Sequence, residues 1–322
     1  MKLVYDTFGP DESTTLVAVR QKLLAWFDGH KRDLPWRRTR DPYLVLVSEI
    51  MLQQTQVDRV LPKYLAFLEL FPTTEALAVA PTADVIRAWA GLGYNRRAVN
   101  MQRAARAIVE QYDGQFPQTV AQLRQLPGVG PYTAGAVACF AFEQDVAFMD
   151  TNIRRVIQRV FVGTQPANES QLLQTAEAAI PAGQGWTWNQ AIMELGALVC
   201  TATTPSCWRC PLQAECKDYA DRRAADEHAF DSLAVGEIAP QRIRRIAERR
   251  ESEYSGSNRF YRGRIIDVLR RIPSDAQIGF NELGAQIKEG FSEEDKPWLR
   301  ALVVGLERDG LIVLDGDMAR LP

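Results

Sequence analysis

Four cysteines, Cys200, Cys207, Cys210 and Cys216, fall within 17 residues in the spacing C-x6-C-x2-C-x5-C. Thiolates this close along a chain can converge on one soft metal centre, an iron–sulfur cluster or zinc. Structural zinc held by four cysteines usually pairs two C-x2-C knuckles, and only Cys207 and Cys210 form one here. The fifth cysteine, Cys139, sits in the apolar run AVACFAF and reads as a buried small hydrophobe. The only two histidines, His30 and His228, leave little room for Ser-His or Cys-His dyads. Carboxyl groups remain. Glu49, between apolar neighbours in SEIMLQQ, reads first as a satisfied structural group and second as an acid that burial keeps protonated. Asp150 in FMDTNIRRV is a natural helix N-cap, and its position suits catalysis as readily as capping.

The segment QLPGVGPYTAGA contains the turn Pro127-Gly128-Val129-Gly130, followed by a helix opening at Pro131. Glycines at Gly128 and Gly130 let the backbone turn and expose amides beside a helix N-terminus, which suits a phosphate; an ordinary helix–helix turn is the alternative. Three basic windows flank it. Ile86 to Arg106 has five arginines and no acid, Thr151 to Arg159 three and none, and Lys31 to Arg40 five bases against Asp33. Together they favour contact with a nucleic-acid backbone, although each alone suits a solvated helix face. Tyr94 in GLGYNRR and Gln53-Gln54 in MLQQTQ can wedge into a base stack or pair with base edges.

These residues need a scaffold. A length of 322 residues suggests about two domains at roughly 150 residues each. A hydrophobic fraction of 46% is enough to build cores, and the net charge of −2 does not by itself point to a polyanion. The sequence shows neither a spanning segment nor a signal peptide, so a cytoplasmic protein with no membrane contact is expected. Apolar residues recur every three or four positions from Leu16 to about Cys216, predicting an all-α region with short Pro- and Gly-marked connections. A charged stretch over 217–257 reads as an exposed helix or linker. From Gln241 to Arg271 ten arginines face four acids. Three amphipathic helices then lead into LIVLDGDMARLP, a two-stranded hairpin with Asp-Gly at its turn, giving a winged-helix pattern over 258–322.

The runs LPWRRTRDPYLVLVSEIMLQQTQVDRV, GLGYNRRAVN, LPGVGPYTAGA, FMDTNIRRV and AIMELGALVC, closed by the cysteine loop, resemble bacterial adenine DNA glycosylases of the helix-hairpin-helix superfamily. The likeness covers about Leu34 to Cys216. It implies a mainly α fold: a six-helix barrel over about 42–147 and a cluster domain from 1–41 and 148–216. The resemblance assigns a [4Fe-4S] cluster to the four cysteines. It makes Glu49 the acid that protonates a departing adenine and Asp150 the group that stabilises the sugar cation, supported by Asn152 and Tyr132. Arg32, Trp36, Arg37 and Glu194 match positions near the adenine pocket. The implied partner is duplex DNA with adenine opposite 8-oxoguanine or guanine, bound by a monomer.

Tyr132 stands where endonuclease-III-like lyases carry a lysine nucleophile, so the resemblance implies base removal without strand cleavage. Two features depart from the family pattern. Thr151 follows Asp150 where glycine is frequent, and no β-rich lesion-reading domain is recognisable after Cys216. Related readings remain: a glycosylase for another mispaired base, or a non-catalytic iron–sulfur DNA-binding protein.

Overall fold

The computed structural model describes residues 10–235, 254–274 and 276–322. Residues 241–253 of the arginine-rich stretch lie outside the described residues, as does the side chain of His228. In chain order the helices are α1 (Pro10–His30), α2 (Pro42–Leu52), α3 (Val57–Leu70), α4 (Thr74–Val79), α5 (Thr82–Ala88), α6 (Arg96–Gln111) and α7 (Val120–Leu123). After the hairpin come α8 (Pro131–Phe142), α9 (Thr151–Ile157), α10 (Glu169–Ala179), α11 (Gly185–Leu198) and α12 (Lys217–Val235). The C-terminal part holds α13 (Asn258–Leu269), β1 (Ile278–Gly279), α14 (Phe280–Ile287), α15 (Lys296–Arg308), β2 (Val313–Asp315) and β3 (Met318–Arg320). The mainly α expectation holds. Side-chain caps start several helices where the sequence offers them: Thr73 for α4, Asn168 in a capping box with Gln171 for α10, and Ser257 for α13.

The described chain divides into two compact units. One contains α1 and α8 to α12. Its α8 is apolar on every side, and all residues from Thr133 to Ala141 are buried, as a helix without a polar face must be. Gly135 is required there, because a Cβ would lie 2.6 Å from the Cβ of Phe148. Cys139 is fully buried, as the apolar run predicts, with the Asn189 amide 3.4 Å from its sulfur.

The other unit combines α2 to α7 with the C-terminal elements. Ala83, Ile86 and Val99 share one core with Ile265, Ile266 and Leu269 of α13, Leu283 of α14 and Leu302 and Leu306 of α15. The Arg270 guanidinium donates to Ile86 O at 3.0 Å and Asn95 Oδ1 at 2.8 Å, and Ala83 N–H donates to Pro322 O at 3.1 Å. The sheet differs from the expected two-stranded hairpin. Strand β1 adds a third strand in the order β1-β3-β2, pairing Ile278 with Ala319, while Gly316 at φ +60° makes the β2–β3 turn. Two residues of strand are too short to show alternation in a sequence.

Candidate active site and cysteine centre

Glu49 lies in the last half of α2, where the run from Val45 to Met51 is entirely buried; Glu49 itself is 4% exposed. The carbonyls that end α2 have no intrahelical donors, and Arg97 supplies them. Its Nη1 donates to Ile50 O at 2.8 Å and Met51 O at 3.1 Å and also reaches Gln53 O, while Nη2 donates to Thr55 Oγ1 at 3.2 Å and Leu92 O at 3.1 Å. One guanidinium thus joins the end of the Glu49 helix to the Gly91–Tyr94 turn. Burial lowers the Arg97 pKa to about 10. Gln54 and Tyr94 on these two turns adopt left-handed backbone, with φ of 54° and 46°, and Tyr94 is 42% exposed.

At the hairpin, Gly128 has φ +78°, and a Cβ there would approach Asn100 Cβ to 2.6 Å. Gly130 has no such constraint, since nothing lies within 4 Å of its Cβ position. Val129 is buried and anchors the turn, leaving Gly128 and Gly130 exposed at the start of α8. Tyr132, in the first turn of α8, is half-buried edge-on against Phe148 at 5.5 Å.

Asp150 caps α9. Its Oδ1 accepts from Ile153 N–H at 2.6 Å and its Oδ2 accepts from Asn152 Nδ2 at 3.1 Å. Burial raises its pKa, opposed by these hydrogen bonds and by the Arg155 charge. A desolvated carboxylate of this kind is poorly stabilised by water and responds strongly to a cation that forms beside it. Asn152 is itself held: Arg155 Nη2 donates to its Oδ1 at 2.7 Å and to Gly196 O at 2.7 Å, and Arg155 Nε donates to Cys200 O at 2.6 Å. Gly196 of α11 permits this approach, because a Cβ there would stand 2.7 Å from Asn152 Cβ.

Glu194 of α11 is fully buried, with Oε1 accepting from Arg32 Nε at 2.8 Å and Oε2 from Arg37 Nη2 at 2.7 Å. Burial pushes its carboxyl up, but the two guanidinium hydrogen bonds outweigh that and bring it down to about 2. Arg32, Arg37 and Glu194 are thus brought together as an ion-pair hub, with Arg32 partly open to solvent, and Trp36 is buried in the short turn Pro35–Arg37 that carries Arg37.

The arginine windows correct the sequence reading. Arg97, Arg106, Arg155 and Arg159 point inward to backbone carbonyls, and Arg87, Arg154, Arg38 and Arg40 pair with Asp84, Glu169, Asp33 and Glu143. A window without acids is therefore no measure of the guanidinium groups left open to a ligand, because carbonyl oxygens accept their hydrogen bonds and carboxylates pair with them. Arg97, Arg155 and Arg159 emerge as positioning residues that the sequence did not single out. Their signal was the run of arginines on otherwise buried helices.

Cys200, Cys207, Cys210 and Cys216 line one cavity with Arg159, Leu195, Val199, Pro205 and Tyr219. None of the four is in a disulfide, and burial pushes Cys210 up to about 11 and Cys216 up to about 12. Arg159, on a π-helical turn that continues α9, donates to Thr201 O at 2.8 Å and lies 3.4 Å from the Cys200 sulfur. Among the described residues no group of His, Cys, Asp or Glu is close enough to hold a single metal ion. The four cysteines are the soft donors of this cavity that could hold a metal cluster.

Residues 47–182 match the HhH-GPD superfamily of base excision DNA repair proteins. The adenine DNA glycosylase of Mycolicibacterium smegmatis is 43% identical over 252 residues, covering 77% of this chain and 79% of that protein. Human adenine DNA glycosylase is 43% identical over 230 residues, 67% of this chain but 42% of the longer human protein. A thermostable thymine-DNA glycosylase structure superposes with a TM-score of 0.61 at 31% identity, covering 65% of this chain and 98% of that one. With this identity sustained across most of both chains, the protein belongs to the adenine DNA glycosylase family of the HhH-GPD superfamily.

Proposed function

We propose that this protein hydrolyses the N-glycosidic bond of adenine opposite 8-oxoguanine or guanine in duplex DNA. The observation that carries the reading is Asp150, a desolvated carboxylate held at the N-terminus of α9 by Ile153 and Asn152. Inside a duplex the bond is inaccessible, so the nucleotide must first be extruded. Glu49 then protonates the adenine ring, the bond from the sugar to the base breaks with its electron pair leaving on the base, and the cationic sugar is stabilised by Asp150. Water adds to the sugar and loses a proton, leaving an abasic site. Tyr132 offers no amine for Schiff-base formation, so the strand stays intact.

The four thiols fit a [4Fe-4S] cluster held by Cys200, Cys207, Cys210 and Cys216. Held by these four cysteines, such a cluster would cross-link the loop that carries Cys200 O, the acceptor of Arg155. The likeness to a thymine-DNA glycosylase, together with Thr151 after Asp150, supports a second reading, excision of a mispaired pyrimidine. Both are tested by labelled duplexes bearing A·8-oxoguanine, A·G, T·G and U·G pairs. Release of free adenine, with cleavage only after alkali, supports the first; release confined to T·G or U·G duplexes replaces it with the second.

A further inference from the structure

The compact unit that combines α2 to α7 with the C-terminal elements contains an open cleft of about 1030 Å³. Six arginines line it, Arg59, Arg96, Arg97, Arg259, Arg262 and Arg270, against two acids, Asp267 and Asp309. The acids are already engaged: Asp309 with Arg262 at 2.5 Å and Arg96 at 3.5 Å, Asp267 with Arg270 at 2.7 Å. Arg97 is spent on the carbonyls that end α2. Arg259 is different. Among the described residues it has no carboxylate partner; its guanidinium lies 4.5 Å over the Tyr94 ring and 5.4 Å from that of Tyr254, and it donates to the Tyr94 hydroxyl. Tyr254 is also more than half exposed.

We propose that this cleft is a DNA-binding site supplied by the C-terminal part, with Arg259 as its principal contact. This rests on the reading of the protein as a DNA glycosylase. A cation flanked by two exposed tyrosines at the rim of an arginine-lined cleft has the chemistry of a nucleotide: stacking faces for a base and guanidinium for phosphate. Arg59, exposed and without a carboxylate partner among the described residues, extends the phosphate-binding rim. The shared core at Ala83, Ile86 and Val99 fixes α13 against α5 and α6, so Arg259 approaches Tyr94 from a docked element. The C-terminal part would thus add substrate contacts directly to the Tyr94 turn.

The test uses the full chain, because truncating the C-terminal part would uncover Ala83, Ile86 and Val99. Binding of a duplex carrying a tetrahydrofuran abasic analogue opposite 8-oxoguanine is measured against salt for wild type, Arg259→Ala, Arg259→Lys and, as an off-cleft control, Arg300→Ala. Arg259→Ala is expected to weaken binding about tenfold and to flatten the slope of log affinity against log salt by about 0.9. Arg259→Lys should keep the slope and lose the part of the affinity that needs a planar stack; it also decides the matter if the alanine variant does not fold. Affinity and slope of both variants equal to those of Arg300→Ala would overturn the proposal. Adenine release with no effect at Arg259 removes the cleft alone, whereas the expected binding pattern without adenine release removes only the assigned reaction.

Discussion

Arg155 grips Asn152 Oδ1 at 2.7 Å, and this orients the Asn152 amide so that its Nδ2 donates to Asp150 at 3.1 Å. The same guanidinium reaches Cys200 O at 2.6 Å, so one side chain spans from the first of the four cysteines to the hydrogen-bond partner of the carboxylate. Asp150 would cap α9 without this support. What the support adds is a fixed direction for Oδ2 and a positive charge near a desolvated anion.

Replacing Arg155 with glutamine should therefore slow single-turnover excision by about ten- to a hundredfold, the range set by losing a charged hydrogen bond of about 1.5–3 kcal/mol. Arg155→Lys should recover little, since an ammonium cannot satisfy Asn152, Gly196 and Cys200 together. Rates from either variant equal to wild type would show that the amide orientation does not matter to the chemistry.

Asp150 predicts a linked pair of pH effects. Its folded pKa is raised by burial, so over the window above the unfolded carboxyl value the native state holds the proton more tightly than the unfolded chain. Stability therefore falls as pH rises through that window, and the ionised carboxylate is a standing cost at neutral pH. Asp150→Asn, which can still cap α9, should melt at a higher temperature than wild type at pH 7, with the difference vanishing below about pH 4. It should also lose excision by at least about a hundredfold. Asn152→Ala removes a bond that favours the anion, so the acid limb of the rate profile should move to higher pH.

Glu49→Gln should reduce adenine release by about 10²–10⁴-fold while keeping duplex affinity within a factor of about two, because general acid catalysis acts in the transition state. Single-turnover kinetics with a filter-binding control separate the two quantities. An unchanged rate would remove Glu49 from the reaction.

Much of this was legible in the residues. The helical region follows apolar spacing, Asp150 is the cap its neighbours predict, and the four closely spaced cysteines line one cavity. Charge was misread because local sequence does not reveal long-range partners. Arg32 and Arg37 meet Glu194 some 160 residues away, at separations of 162 and 157. Arg97 looks free among GLGYNRR, yet its partners are carbonyl oxygens, which every residue carries and no composition count registers. Gly128 and Gly130 likewise look equivalent, yet Gly128 alone takes a positive φ, of +78°, and packs against Asn100.

Metal content tests the cysteine loop. Protein purified anaerobically should contain about four irons per chain with broad visible absorption, and Cys207→Ser should lose most of that iron. Cys139→Ser should keep it, since Cys139 is buried beside Asn189 and does not line the cavity of the other four. Stoichiometric zinc without iron would refute the assignment.

Glu194 makes the opposite pH prediction from Asp150. Its pKa is held near 2 by Arg32 and Arg37 against an ordinary value of 4.5, so the unfolded chain takes up a proton first as pH falls. The contribution of this carboxylate is complete above about pH 4.5 and is lost as pH falls toward about 2. Glu194→Gln leaves Arg37, largely buried, and Arg32, 37% exposed and so partly screened by water, facing a neutral amide, which should cost about 1–3 kcal/mol at pH 7. Denaturant unfolding at pH 7 and pH 3 should show that cost shrinking at the lower pH. A cost that is the same at both values would mean that packing, rather than the charge of Glu194, is what the hub provides.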